Sequence, residues 1–155
     1  DWTAGELHDC LMEEGASLIL ETVQGLEKGI IQAKEQDHRL FLHPAPKIFK
    51  EDCKIDWNQP ADQVYNFIRG LSPYPTAWTR INGVLFKLFK ASRLSDRVGE
   101  SKPGQLLVQE SRSGLAVACQ DYWLKLEEVQ MAGKKRMSVS DFLRGYKGEL
   151  ERLES

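Results

Sequence analysis

The sequence has little of what would tie it to metal chemistry, secretion or a membrane. Cysteine is scarce. Cys10, Cys53 and Cys119 are too few and too scattered for a disulfide framework, and none has a cysteine or histidine at zinc-finger spacing. His8, His38 and His43 form no metal-ligand pattern either. All six are read as structural or solvent-facing, with no metal site, in a reducing compartment. No apolar run approaches the ~20 residues that span a bilayer, and no signal-peptide pattern opens the chain. A cytoplasmic protein with no membrane partner is the expectation. Strong charge of either sign is missing too, since the net is −2 over 155 residues. The hydrophobic (41%) and charged (28%) fractions are those of an ordinary globular protein, enough for one domain plus an appendage.

That small net charge hides an asymmetry. Residues 1–37 hold nine acids against Lys28 and Lys34, a net of −7. Residues 38–155 hold the other 14 acids and 19 bases, a net of +5. An acidic lead therefore precedes a basic body, which is compatible with a polyanionic partner but does not require one.

Local patterns divide the chain into three parts: 1–29, 30–50 and 51–155. Thr3-Ala4-Gly5-Glu6 reads as a capping box, and Leu7, Leu11, Met12, Leu18, Ile19, Val23 and Leu26 recur at helical spacing up to a Lys28-Gly29 stop. The spacing predicts two short helices or one kinked at Gly15 over 3–28, with an apolar side that needs a partner. The chain starts at Asp1 inside this pattern, as a piece of a longer protein would. Residues 30–50, with His43-Pro44-Ala45-Pro46, read as a strap lying over a surface. The third part opens with Asn58-Gln59-Pro60 as a helix start, Asn58 as its cap, and Val64, Phe67, Ile68 and Leu71 on one face. Strands follow at Ala77–Ile81 and Val84–Ala91 around Asn82-Gly83, a type I′ hairpin dipeptide. Further strands are read at Gln105–Glu110 and Leu115–Cys119 around Ser113-Gly114, and at Tyr122–Val129. Residues 92–104 read as a long loop, Ser138–Asp141 as a capping box before a short helix, and Lys147–Ser155 as a frayed tail. The fold class expected is mainly β with flanking helices (α+β): an OB-like antiparallel barrel of about five strands behind one or two leading helices. Trp57, Trp78 and Trp123 are assigned to the core, Trp2 to the surface, and Tyr74 to the turn joining helix to sheet.

Four segments resemble methionyl-tRNA formyltransferases in order. TAGELHD and EEGASLILETVQGL resemble the last helical segment of that family's catalytic domain. APKIFKEDCKIDW resembles the end of its linker, FIRGLSPYPTAWT the first helix of its C-terminal domain, and AGKKRMSVSDFLRGY the closing strand-to-helix segment. His38–Pro44 departs from the family pattern by being more apolar. The resemblance implies a parent enzyme that moves a formyl group from 10-formyltetrahydrofolate, its co-substrate, to the amino group of methionyl initiator tRNA. It implies as partners that tRNA and an N-terminal catalytic domain, in an intact protein that is a monomer. The family's catalytic asparagine, histidine and aspartate match no segment here. No residue is therefore given a catalytic or cofactor-binding role, and these residues alone are expected to be inactive.

What the resemblance leaves to this part is holding tRNA. The acceptor arm is A-form, so grip rests on phosphates, 2′-hydroxyls and shape, which spaced cations suit. Lys134, Lys135 and Arg136 lead the candidates, followed by Lys47, Lys50 and Lys54, and then Arg69, which could instead cap its own helix. Lys87 and Lys90 are read as solvent-facing strand residues. Two rivals remain open. One is the C-terminal domain of a sugar-nucleotide formyltransferase or formyl-folate hydrolase, which has no use for a GKKR segment. The other is a protein-interaction module docking through the acidic helix.

Overall fold

A computed structural model describes residues 1–35, 37, 44–109 and 113–154. They form two compact units: Gly5–Lys47, and Asp1–Ala4 with Ile48–Ser155.

The first unit is built on a single helix, α1 (Ala4–Glu27), which runs through Gly15. It stops at Lys28-Gly29 as its sequence predicts. Gly29 takes φ +69°, and the N–H groups of Ile30 and Ile31 both donate to the Gly25 carbonyl at 2.9 and 3.1 Å. Ile31 then lies so close over Gly25 that a Cβ there would meet its Cδ1 at 2.5 Å. Leu11, Leu18, Ile19 and Val23 stay exposed. The apolar departure at His38–Pro44 falls, but for Pro44, outside the described residues.

The second unit includes a strap, residues 48–57, which lies beyond most of the 30–50 segment read as a strap from sequence. Cys53, Ile55 and Trp57 are buried at alternate positions. Ile55 N–H donates to the Trp78 carbonyl (2.9 Å) and Trp78 Nε1 to the Lys50 carbonyl (2.7 Å). Helix α2 (Ala61–Leu71) buries Val64, Ile68 and Leu71 in the shared core. Its cap is not Asn58, because Pro60 occupies the cap position and offers no side-chain acceptor. Asp121, sixty residues away, supplies it: one carboxylate oxygen accepts from Ala61 N–H and Tyr122 N–H, both at 2.8 Å. Asn58 donates to Asp56 instead.

Seven antiparallel strands follow among the described residues, where five were expected. They are β1 (Ala77–Ile81), β2 (Val84–Arg97), β3 (Leu106–Val108), β4 (Leu115–Ala118), β5 (Tyr122–Met131), β6 (Met137–Ser138) and β7 (Leu153–Glu154). The order is β3-β4-β5-β2-β1-β7, with β6 on β5. At Asn82-Gly83 both residues carry positive φ (+49° and +77°), as the I′ hairpin requires. Helix α3 (Val139–Gly145) begins at Ser138, whose hydroxyl accepts from Asp141 N–H at 3.1 Å. The turn near Ser113-Gly114 includes residues 110–112, outside the described set, but Gln109 N–H reaches the Gly114 carbonyl at 2.9 Å.

Two expectations are corrected. Residues 92–97 are strand, not loop: β2 continues past bulges near Lys90 to pair Arg93 with Leu124 and Arg97 with Tyr122. The tail is not frayed. Leu153 is fully buried and β7 pairs with β1. Just before β7, Leu106 N–H donates to the Glu151 carbonyl and Leu153 N–H to the Gly104 carbonyl, both at 2.8 Å. The tail therefore bridges the two ends of the sheet and closes the OB-like barrel. Gly104 is required there, since its φ is +85° and a Cβ would stand 2.6 Å from the Leu153 carbonyl. Trp57 and Trp78 are buried, whereas Trp123 is only half-buried because it alternates with core-facing Leu124. Tyr74 is 86% exposed and contributes nothing to the core. Its turn is closed by Thr76, whose N–H donates to the Leu71 carbonyl at 2.8 Å.

Candidate nucleic-acid interface

The side of the sheet opposite the core gathers cations from three separate segments. In β1, Ala77, Thr79 and Ile81 point to one side of the sheet and Trp78 and Arg80 to the other, where Arg80 is exposed but Trp78 is itself buried and part of the core cluster. Trp78 pairs with Lys87 of β2, and Lys87 pairs with Gln130 of β5. Directly cross-strand residues share a face, so these three form one row across the sheet. Each end of the row meets a further cationic segment.

At one end stands the strap. Lys50 Nζ lies 5.9 Å from the Trp78 ring centroid, with the Arg80 guanidinium 6.0 Å from the same ring. Lys54 is bridged to Trp78 through the backbone. The indole thus acts as a covered platform among three cations, and its charge-stabilising face helps hold Lys50 and Arg80 in place. At the other end stands the turn after β5. Gln130 donates its amide to the Lys134 carbonyl at 2.8 Å, and Lys134 N–H donates to the Met131 carbonyl at 3.0 Å. Gly133, at φ +74°, makes the reversal possible and leaves Lys134 and Lys135 exposed. A shallow cleft of about 220 Å³ lies between, lined by Leu85, Lys87, Gln130 and Gly133.

Charge balance separates these cations. Among the described residues, Lys50, Lys54, Arg80, Lys87, Lys134 and Lys135 have no ion-pair partner. Arg136 does: its Nε donates to Glu128 at 2.7 Å, and its guanidinium lies 4.5 Å from the Phe89 ring centroid. Lys90 pairs with Glu127 at 3.5 Å. Arg136 and Lys90 therefore bring their counter-charge with them.

Of the sequence candidates, Lys50, Lys54, Lys134, Lys135 and Arg136 are brought to this face or its margin. Lys47 is exposed and belongs to the other unit. Arg69 is elsewhere, on α2. It does not cap its helix, and it donates to Asn66 Oδ1 and to the Trp2 carbonyl, both at 2.8 Å. The residue that sequence reasoning passed over is Arg80, whose alternation with buried Thr79 and Ile81 was the available signal.

Away from the cationic row, burial and hydrogen bonding shift a few groups. Burial, with Asp121 nearby, pushes the Cys119 thiol up to about 12, and burial also raises Cys53. Asp56 is held below the usual carboxylate range, first by Asn58 N–H and then by the side-chain amides of Asn58 and Gln59. Among the described residues there is no group of three or more His, Cys, Asp or Glu side chains placed to hold a metal. None of their helices is long and apolar enough to cross a membrane.

Comparison with known proteins places the chain in a family. A family described as "Formyl transferase, C-terminal domain" matches residues 47–147. The methionyl-tRNA formyltransferase of Parabacteroides distasonis is 42% identical over 151 residues, covering 91% of this chain and 46% of that protein. That of Bacillus licheniformis is 41% identical over 142 residues, covering 91% and 44%. The chain thus spans a little under half the length of these relatives. Among solved structures, HypX from Aquifex aeolicus in complex with tetrahydrofolic acid superposes with a TM-score of 0.61 over 86% of this chain and 25% of its own. At 17% identity that shows a shared fold alone. By the match over residues 47–147, which takes in the strap, the barrel's cationic row and α3, this chain belongs to the formyl transferase C-terminal domain family.

Proposed function

We propose that this chain is the RNA-holding part of a methionyl-tRNA formyltransferase. Residues 51–155 are its binding barrel, 30–50 its linker, and 1–29 a helix belonging with the catalytic domain. The intact protein, a cytoplasmic monomer, takes its formyl group from 10-formyltetrahydrofolate and delivers it to methionyl initiator tRNA. The chemistry occurs outside these residues. The observation that carries the reading is the row of unpaired cations from Lys50 through Arg80 and Lys87 to Lys134 and Lys135, supported by the likeness to methionyl-tRNA formyltransferases.

Such a row suits a polyphosphate ridge. Each ammonium that meets a phosphate releases condensed counterions, and β1, β2 and the short hydrogen-bonded turn after β5 already hold their cations in place, so little has to be ordered on binding. Phosphate contacts fix register and orientation and leave initiator identity to be read elsewhere. Lys47 extends the same role along the linker, while Arg136 and Arg69, already engaged by protein groups, contribute less. The test is tRNA binding by the 155-residue chain at several salt concentrations. Replacing Lys134 and Lys135 by alanine should weaken binding and reduce the log–log salt slope by about 1.4–1.8, two contacts' worth. An unchanged slope removes this turn from the interface.

A further inference from the structure

Beside Lys54, where the cationic row ends, there is a cavity of about 190 Å³ between the strap and α2. Its floor is apolar: Ile55 is fully buried and Phe67 half-buried. Its rim is polar and comprises Lys54, Asp56, Gln59 and Gln63. The volume falls below the ~300 Å³ at which pockets begin to take drug-sized ligands. There is room for one planar base, with the sugar and phosphate left outside.

The rim groups differ in what they have spare. Gln59 donates its amide to Asp56 Oδ2 at 3.1 Å, while Oδ1 accepts from Asn58 N–H and from Asn58 Nδ2. Three acceptor sites of the carboxylate are thus filled and about one remains. Among the described residues neither the Lys54 ammonium nor the Gln63 carboxamide has a hydrogen-bond or ion-pair partner. The cavity therefore offers one anionic acceptor, one free amide with both a donor and an acceptor, and one cation at the mouth.

We propose that this cavity receives a single unpaired, amino-bearing nucleobase, its ring over Phe67 and its amine on Asp56 and Gln63, with the adjoining phosphate on Lys54. An exocyclic amine supplies the donor that Asp56 can still accept. Uracil offers only its N3–H, set between two carbonyl oxygens that the carboxylate repels, so it should bind less tightly. Single-stranded RNA is read in this manner, by bases turned out onto aromatic rings and hydrogen-bonded along their edges. The inference rests on the reading of the neighbouring face as an RNA surface and adds what that surface selects.

The test compares three otherwise identical RNA hairpins, one fully paired, one with a bulged adenosine and one with a bulged uridine, alongside free AMP. The expected result is that bulged adenosine binds about tenfold more tightly than the other two, the size of one good base contact. Gln63→Trp, which fills the mouth from an exposed helix position, should erase that preference and leave the paired hairpin's affinity unchanged. Saturable AMP binding lost in Gln63→Trp, with no preference among hairpins, assigns the cavity to a free nucleotide. If all three hairpins bind equally, AMP does not bind and Gln63→Trp changes nothing, the inference falls while the RNA-holding role stands. If no RNA binds in dilute buffer, both fall.

Discussion

Removing the side chain of Leu153 should damage the barrel far more than its place two residues from the chain's end suggests. Leu153 is fully buried, its N–H donates to the Gly104 carbonyl at 2.8 Å, and it pairs with Ile81 across β7 and β1. Its neighbour Glu154 adds two bonds, from Thr79 Oγ1 to its carbonyl and from Gly83 N–H to Oε1 at 2.8 Å. Truncating a buried leucine to alanine costs about 2–5 kcal/mol, depending on how far the surroundings collapse. Ile81 is held by its pairing with Val84 of β2, Leu106 by Val117 of β4 and Gly104 by its N–H bond to the Ala118 carbonyl, so little collapse is available and the upper half of that range is expected. At roughly 4 °C per kcal/mol for a domain near this size, the melting temperature should fall by about 14–20 °C. Urea unfolding followed by tryptophan fluorescence reads the same change as a lower midpoint at unchanged slope. Glu154→Ala, which keeps the β7 backbone, should cost less than Leu153→Ala. If Leu153→Ala costs under about 0.5 kcal/mol, the tail is an exposed end and the sheet is not closed by it.

Other expectations follow from single contacts. Asp121→Ala should cost about 1–2 kcal/mol by stripping the N-terminal cap of α2, and chemical denaturation measures it. Thr79→Val leaves the Trp57 indole N–H and the Glu154 carbonyl without their shared hydroxyl, and should destabilise by about 1–3 kcal/mol in the same assay. Cys119, with its thiol pushed up to about 12, and buried Cys53 should resist a thiol reagent at neutral pH, leaving Cys10 to react first, as mass mapping of labelled peptides would show. Asp56 has a folded-state pKa below its ordinary 3.8, so its contribution is complete above about pH 4 and is lost as pH falls through the lower value. The stability gap between the parent chain and Asp56→Asn should accordingly narrow below pH 4 and stay constant from pH 5 to 7.

Much of the barrel was legible because its signals are local. Asn82-Gly83 demands a turn with two positive φ angles, Val64, Ile68 and Leu71 mark one face of a helix, and Ser138 carries its own capping acceptor. What escaped was set by distant partners. Nothing near Pro60 announces that Asp121 will cap α2. Residues 92–97 look like loop because their polar members face solvent, yet they are strand because β5 offers them a ladder. Leu153 is one apolar residue in a charged tail and becomes core only once Gly104 and Ile81 are placed beside it. The interface was half legible for the same reason. The lysines of 134–135 stand out as a run, whereas Lys87 and Arg80 join them only through pairing across β1, β2 and β5.

The outward row of cations, and not basic charge in general, should hold RNA. The direct measurement is the salt dependence of tRNA binding for Lys50→Ala, Lys87→Ala and Lys134→Ala, taken singly, beside Arg69→Gln on the opposite element. Each of the three lysine variants should lose about 0.7–0.9 from the log–log slope, and Arg69→Gln close to none. Equal losses at all four positions, or no affinity for tRNA at low salt, would contradict it.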